Sequence, residues 1–171
     1  MSFTPDGTKF ELTGPADAPV VVLIHGLGLR KECWQWTTPA LIDAYRVLSY
    51  DLHGHGGSLV PPETANLSMF STQLSGLLDH CGVERATIIG FSLGGMIARR
   101  FAQDVPQQTQ ALVILHSPHK RDQEAQAAIL KRVHQAQKLG PQSTIEAALE
   151  RWFTQRFRIA NPDTMETVRR W

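Results

Sequence analysis

Apolar residues gather in short unbroken runs along this chain, and between the runs they recur at helical spacing. Val20–Ile24 is aliphatic at every position, which predicts a strand buried on both faces of a parallel sheet. Residues 85–91, an apolar and β-branched run, and 111–116, another continuous apolar one, are also expected strands. Residues 46–51 (Arg-Val-Leu-Ser-Tyr-Asp) form another expected strand, and 9–12 a shorter one ahead of a Gly14-Pro15…Pro19 turn region. Phe70, Leu74, Leu77 and Leu78 fall on one face of a helix over 68–81, which follows a Pro61-Pro62 loop and which Gly82 is placed to cap. Met96, Ile97, Ala98 and Phe101 make the apolar stripe of a helix over Leu93–Asp104, and Pro106 ends it. A helix over 34–44 is also expected, with Pro39 inside it. Strands alternating with helices in this order predict a doubly wound, mostly parallel α/β sheet.

The character changes after Pro118, so residues 1–118 are expected to form the α/β core and 119–171 a separate helical segment. Residues 122–139 read as a helix with Ile129, Leu130 and Val133 as apolar positions, broken by Gly140-Pro141. A second helix over 143–156 opens with a capping box of Ser143 and Glu146 and carries Ile145, Leu149, Trp152 and Phe153. A third, over 162–171, has Asn161 as N-cap and Pro162 at its first position. The pattern does not return to a strand, so the chain reads as a fold truncated before its last strands. An open edge at 111–116 and exposed faces around Trp152, Phe153 and Phe157 then predict a homo-oligomer or a complementing C-terminal segment.

At 171 residues the chain can bury one sizeable core, and its 42% apolar and 19% charged residues are ordinary for a globular protein. A net charge of +1 offers no electrostatic case for nucleic acid or an anionic membrane as partner. The longest apolar run, Val20–Ile24, is far short of the roughly 20 residues that span a bilayer. Residues 1–7 lack the basic start and apolar centre of a signal peptide, so the cytoplasm is the expected location. Cys33 and Cys81 stand far apart without metal-ligand spacing and are expected to be buried, reduced thiols.

The chemistry concentrates where the 85–91 run stops. Gly90-Phe91-Ser92-Leu93-Gly94 is a G-x-S-x-G sequence between a strand and a helix, the context that exposes a serine hydroxyl on a sharp turn. Gly90 and Gly94 remove the Cβ atoms that would collide there. Ser92 is therefore the candidate nucleophile, and the Leu93 N–H, at the start of the helix, a candidate oxyanion donor. His25-Gly26-Leu27-Gly28 ends the first buried strand and must face the same sheet edge as Ser92. That glycine-rich loop can aim a second backbone N–H, from Leu27, at the oxyanion.

Three motifs in order carry a resemblance: His25-Gly26-x-Gly28, Asp51-x-x-Gly54-x-Gly56-x-Ser58 and Gly90-x-Ser92-x-Gly94-Gly95. The chain resembles the N-terminal two-thirds of an α/β-hydrolase-fold enzyme. Arg46-Val47-Leu48…Asp51, Gly94-Gly95-Met96-Ile97 and Arg151-Trp152-Phe153-Thr154…Phe157 are similar to 3-oxoadipate enol-lactonases and related carboxylesterases. Enol-lactonases usually carry a serine-asparagine-containing loop where this chain has His25-Gly26. The resemblance implies a small ester or lactone as substrate, an acyl-enzyme at Ser92, no cofactor, and a helical lid beginning within 122–171. It also implies a triad acid and histidine on later strands, and no residue here matches either position.

Of the seven histidines, His25 is expected to order its turn, and His53 and His55 to pack or hydrogen-bond beside Gly54. His80 and His134 are read as solvated. His116 and His119 end the strand beside that of Ser92 and are the candidates for a surrogate base. Asp51 is read as a turn-forming acid, and Arg99–Arg100 and Arg169–Arg170 as solvated helix faces. The same fold also serves acyltransferases, thioesterases and C–C bond hydrolases. A different class of reading is a catalytically silent fragment that binds a partner or ligand.

Overall fold

The computed structural model describes residues 2–61 and 64–171, so Pro62 of the expected Pro61-Pro62 loop lies outside the described residues. The chain divides into two compact units, Met1–Pro118 and His119–Trp171.

The first unit is a six-stranded sheet of β1 (Ser2–Phe3), β2 (Lys9–Thr13), β3 (Val20–Ile24), β4 (Arg46–Tyr50), β5 (Ala86–Phe91) and β6 (Thr109–Leu115). Their spatial order is β1-β2-β4-β3-β5-β6. β1 and β2 run antiparallel, and β4, β3, β5 and β6 are parallel. The runs of β3 and β4 bury both faces because side chains alternate across a strand, whereas β6 is largely exposed. Val22, Ile24, Leu48, Tyr50 and Ile88 meet α1 (Leu67–His80) and α2 (Leu93–Asp104) on one face. Val21, Leu23 and Val47 pack with Trp34 on the other. Each such fully buried aliphatic side chain contributes about 1.5–3 kcal/mol relative to an exposed one.

Asn66 starts α1 by accepting the Met69 N–H at 2.9 Å. Gly82, at φ +64, ends it, with the Gly82 N–H on Asp79 O and the Val83 N–H on Leu78 O. That pair of bonds is a Schellman cap, and it needs the left-handed residue that glycine supplies. On α2 the buried positions are Gly94, Gly95, Ile97, Ala98 and Phe101, whereas Met96 is half-buried.

In the first unit two expectations are corrected. The helix over 34–44 is replaced by 3-10 turns at Lys31–Trp34 and Thr38–Ala40. Pro39 cannot donate the N–H that a continuous helix needs, and it sits instead in the first turn of the second segment. Cys33 and Cys81 are free but half-buried rather than buried, and burial pushes the Cys33 thiol up to about 12.

The second unit holds α3 (Gln123–Leu139), α4 (Ile145–Trp152), α5 (Gln155–Ala160) and α6 (Pro162–Arg169). Asp122 caps α3 by accepting the Ala125 N–H at 2.8 Å, and Gly140 breaks it at φ +84. The expected single helix over 143–156 is two, and its capping box does not form. Ser143 Oγ donates to Gly140 O at 2.7 Å, closing a 3-10 turn instead. Phe153 is extended, and Thr154 accepts the Phe157 N–H at 3.2 Å to start the next helix. Leu130, Val133, Trp152 and Phe157 are exposed, while Leu149, Met165 and Val168 are buried. Among the described residues, no helix is long and apolar enough to cross a membrane, and no His/Cys/Asp/Glu group could hold a metal ion.

Candidate active site

Because β4, β3, β5 and β6 are parallel, their C-terminal ends bring residues 25–31, 51–58, 92 and 116–118 to one sheet edge. Ser92 joins β5 to α2 at φ 54, ψ −113, a conformation that costs a non-glycine residue about 1–3 kcal/mol. Its backbone is held on both sides. Its N–H donates to Leu115 O at 2.9 Å, and its C=O accepts from Gly95 at 3.1 Å and Met96 at 3.3 Å. A Cβ on Gly90 would lie 2.2 Å from Gly94 O, and one on Gly94 2.3 Å from Ile24 O. Only glycine fits either position.

The loop after β3 packs directly on this elbow: a Cβ on Gly26 would come within 3.3 Å of the Ser92 Cβ. Residues 26–29 form a turn closed by the Leu29 N–H on Gly26 O at 3.2 Å, with Gly28 at φ +73. The turn consumes the N–H of Leu29 and leaves that of Leu27 outside it. The Leu27 side chain is exposed, so this residue's contribution to the edge is its backbone. Leu93 is the first residue of α2, whose leading amides have no intrahelical acceptor.

His25 and Asp51 join the β3 and β4 loops. The fully buried His25 donates through Nδ1 to Gly26 O at 2.8 Å and accepts the Leu52 N–H on Nε2 at 3.0 Å. This pattern defines a neutral ring with its proton on Nδ1. Asp51, also fully buried, accepts the Lys31 N–H on Oδ1 at 2.7 Å and the Gly57 N–H on Oδ2 at 2.8 Å. Beside this joint, Lys31 Nζ meets Glu11 at 2.7 Å and Glu32 at 3.4 Å, and Arg30 meets Glu32 at 2.6 Å. Burial opposes ionisation of Glu32, but the Arg30 hydrogen bond and the Lys31 charge hold it down at about 2. No spacing in the sequence announces this ionic cluster. A shallow cleft of about 210 Å³ adjoins it, lined by residues including Glu11, Lys31, Glu32, Gln35 and Thr38, and it includes neither Ser92 nor Leu27.

Burial, which penalises the charged ring, pushes the His25 imidazole from its ordinary 6.5 to about 4. With the folded value below the unfolded one, this contribution is complete above pH 6.5 and is lost as pH falls toward 4. The loss amounts to about 3 kcal/mol. Urea midpoints taken between pH 7 and 4.5 should therefore fall steeply, above the range in which Glu32 titrates. His55, 5.2 Å from His25 and also shifted down by burial, adds to the slope. His25→Gln, which retains an acceptor for Leu52, should flatten it, and an unchanged slope would remove His25 as its source.

The remaining histidines divide. His53 sits 3.5 Å from Asp6, His80 is edge-on to Phe10 at 5.6 Å, and His134 is exposed. His116 is exposed, adopts φ +46, and makes an edge-to-face contact with Phe91 at 6.4 Å. His119 falls in the second unit. Arg99, expected on a solvated face, is instead bonded to Ser117 and Pro118. Arg100 fits the expectation, paired at the surface with Asp104.

Residues 19–158 match the family model described as alpha/beta hydrolase fold. The 3-oxoadipate enol-lactonase 2 of Acinetobacter baylyi is 30% identical over 155 residues, which cover 91% of this chain and 57% of that protein. The enol-lactonase from Burkholderia xenovorans LB400 superposes with a TM-score of 0.88 at 25% identity, covering 95% of this chain and 62% of that one. A thermophilic esterase from Thermogutta terrifontis gives 0.85 at 27% identity, over 95% and 60% of the two chains. The chain thus spans about three-fifths of the length of these relatives. With the glycine-framed serine elbow on the edge of a doubly wound sheet, these matches establish that the chain belongs to the α/β-hydrolase fold family.

Proposed function

We propose that this chain carries the nucleophile-bearing part of a serine hydrolase acting on a small carboxylic ester or lactone. The observation that carries the reading is Ser92 at φ 54, ψ −113 on a strand–helix elbow, with the Gly26 turn packed against it. In this mechanism Ser92 Oγ attacks the carbonyl carbon, and its proton passes to a base. The tetrahedral oxyanion accepts hydrogen bonds from the Leu27 and Leu93 N–H groups. The carbon–oxygen bond to the alcohol then breaks, the base returns the proton to the leaving oxygen, and water hydrolyses the acyl-enzyme. His25, Gly26, Gly28, Gly90 and Gly94 support this arrangement, no cofactor takes part, and residues 119–171 are the start of a helical lid segment. The free thiols Cys33 and Cys81 suit a cytoplasmic location.

The test is a fluorophosphonate probe applied to the protein at its natural length. A mass increase confined to the peptide containing Ser92 supports the reading, and modification elsewhere that survives Ser92→Ala overturns it.

A second reading is favoured by two observations: His116 makes its contact with Phe91, and among the described residues β6 pairs with β5 alone while Leu112, Val113 and Leu115 are exposed. Residues 1–171 by themselves would then be a silent partner that needs a complementing segment, or a second copy, on the β6 edge. A Ser92-dependent esterase that is monomeric by light scattering as residues 1–171 would exclude it and make His116 or His119 the base.

A further inference from the structure

The segment after β6 is tied to α2 by contacts that its sequence does not announce. Gly95 and Arg99 stand one helical turn apart, and Ser117 sits against both. A Cβ on Gly95 would lie 2.5 Å from the Ser117 Cβ, so glycine opens the seat. Arg99 closes it: Nη2 donates to Ser117 Oγ at 2.9 Å and to Pro118 O at 2.6 Å, and Nη1 reaches Ser117 O at 3.5 Å. His116, at φ +46, makes the bend that brings the chain back to the helix. Immediately before that bend is Leu115, whose C=O accepts the Ser92 N–H at 2.9 Å. The guanidinium thus holds the end of β6, and the end of β6 holds the strained serine. Such a conformation persists only where its surroundings over-determine it.

We propose that Arg99 is a positioning residue for Ser92, pinning residues 115–118 so that the Leu115 carbonyl keeps the nucleophile's backbone on its elbow. The inference rests on the reading of Ser92 as nucleophile. Arg99 acts through the main chain and needs no contact with substrate.

The experiment compares Arg99→Ala, Arg99→Lys and Arg100→Ala with the parent at natural length, by two readouts. The first is hydrogen exchange of the Ser92 amide, which involves no catalysis. It should quicken roughly tenfold in Arg99→Ala, the scale of a lost hydrogen bond to a charged group, while the Ile88 and Ile89 amides stay unchanged. The second is the saturating rate of phosphonylation by the fluorophosphonate. It should fall roughly ten- to a hundredfold with little change in the probe's dissociation constant. Arg99→Lys, which keeps a donor for Pro118 O, should recover part of both, and Arg100→Ala should match the parent. If Arg99→Ala fails to fold, Ser117→Ala removes one acceptor of the clamp and should give a smaller effect of the same kind. A merely structural contact would lower Tm and leave both readouts unmoved in the folded protein. Unchanged exchange and phosphonylation in Arg99→Ala, with the parent labelled at Ser92, would overturn the inference alone. A parent unlabelled at Ser92 would overturn the nucleophile reading and the catalytic part of this inference. Faster exchange in Arg99→Ala would still distinguish that result from failure of the clamp.

Discussion

Ser92→Ala is expected to abolish ester hydrolysis in the protein at its natural length, a fall in turnover on the order of a millionfold. The attacking oxygen is lost, and only the oxyanion donors and binding remain to assist water. The fold should survive, because the hydrogen bonds that seat this residue use its N–H and C=O, to Leu115, Gly95 and Met96. Alanine keeps all three and meets the same backbone strain as serine. The measurement is initial-rate hydrolysis of a 4-nitrophenyl ester, with thermal unfolding as a control for structure. Turnover retained in a folded Ser92→Ala protein would place the chemistry elsewhere.

Leu27→Pro should reduce kcat by about a hundred- to a thousandfold, the effect of losing one oxyanion donor, with KM nearly unchanged. The local geometry makes this an unusually clean deletion. Leu27 precedes Gly28, which has φ +73, and proline followed by such a glycine is a favoured pair at the centre of a turn. The turn closes through the Leu29 N–H, and the side chain at 27 is exposed, so neither a ladder bond nor core packing is lost. Leu27→Ala retains the amide and should act like the parent. Equal activity in a Leu27→Pro protein with an unaltered circular dichroism spectrum would remove Leu27 from the oxyanion site. A loss shared by Leu27→Ala would assign the effect to the side chain.

The sequence nominates these two positions for different reasons. Ser92 stands out because an elbow imposes glycine at 90 and 94, where backbone carbonyls would lie within 2.3 Å of any Cβ. Steric exclusion of that kind leaves a mark in the letters. Leu27 is found indirectly, from two glycines after a buried strand and the rule that parallel strands deliver their loops to one edge. The aliphatic runs at β3 and β5 and the helical stripes of α1 and α2 were equally plain. The helical period of 3.6 is set by backbone geometry before any tertiary contact forms, and an unbroken apolar run marks a strand covered on both faces.

Only the folded chain decided the rest. Residues 34–44 carry a helical apolar pattern, but Pro39 removes a donor and short 3-10 turns take its place. Ser143 could cap a helix or close a turn onto Gly140, and the structure selects the turn, since both satisfy the hydroxyl. His25 and Asp51 look from the sequence like members of separate motifs. Folding makes them neighbours that join two loops, because β3 and β4 are adjacent in space though residues 25–45 separate them along the chain. Arg99 reads as a solvated position on an amphipathic helix until β6 pairs with β5 and delivers Ser117 and Pro118 to its guanidinium. Local sterics and periodicity are properties of a few consecutive residues, so most strands and helices and the serine elbow can be read from the letters. Partners brought together from distant segments depend on strand order, which is why the contacts of Arg99 with Ser117 and Pro118 emerge only on folding.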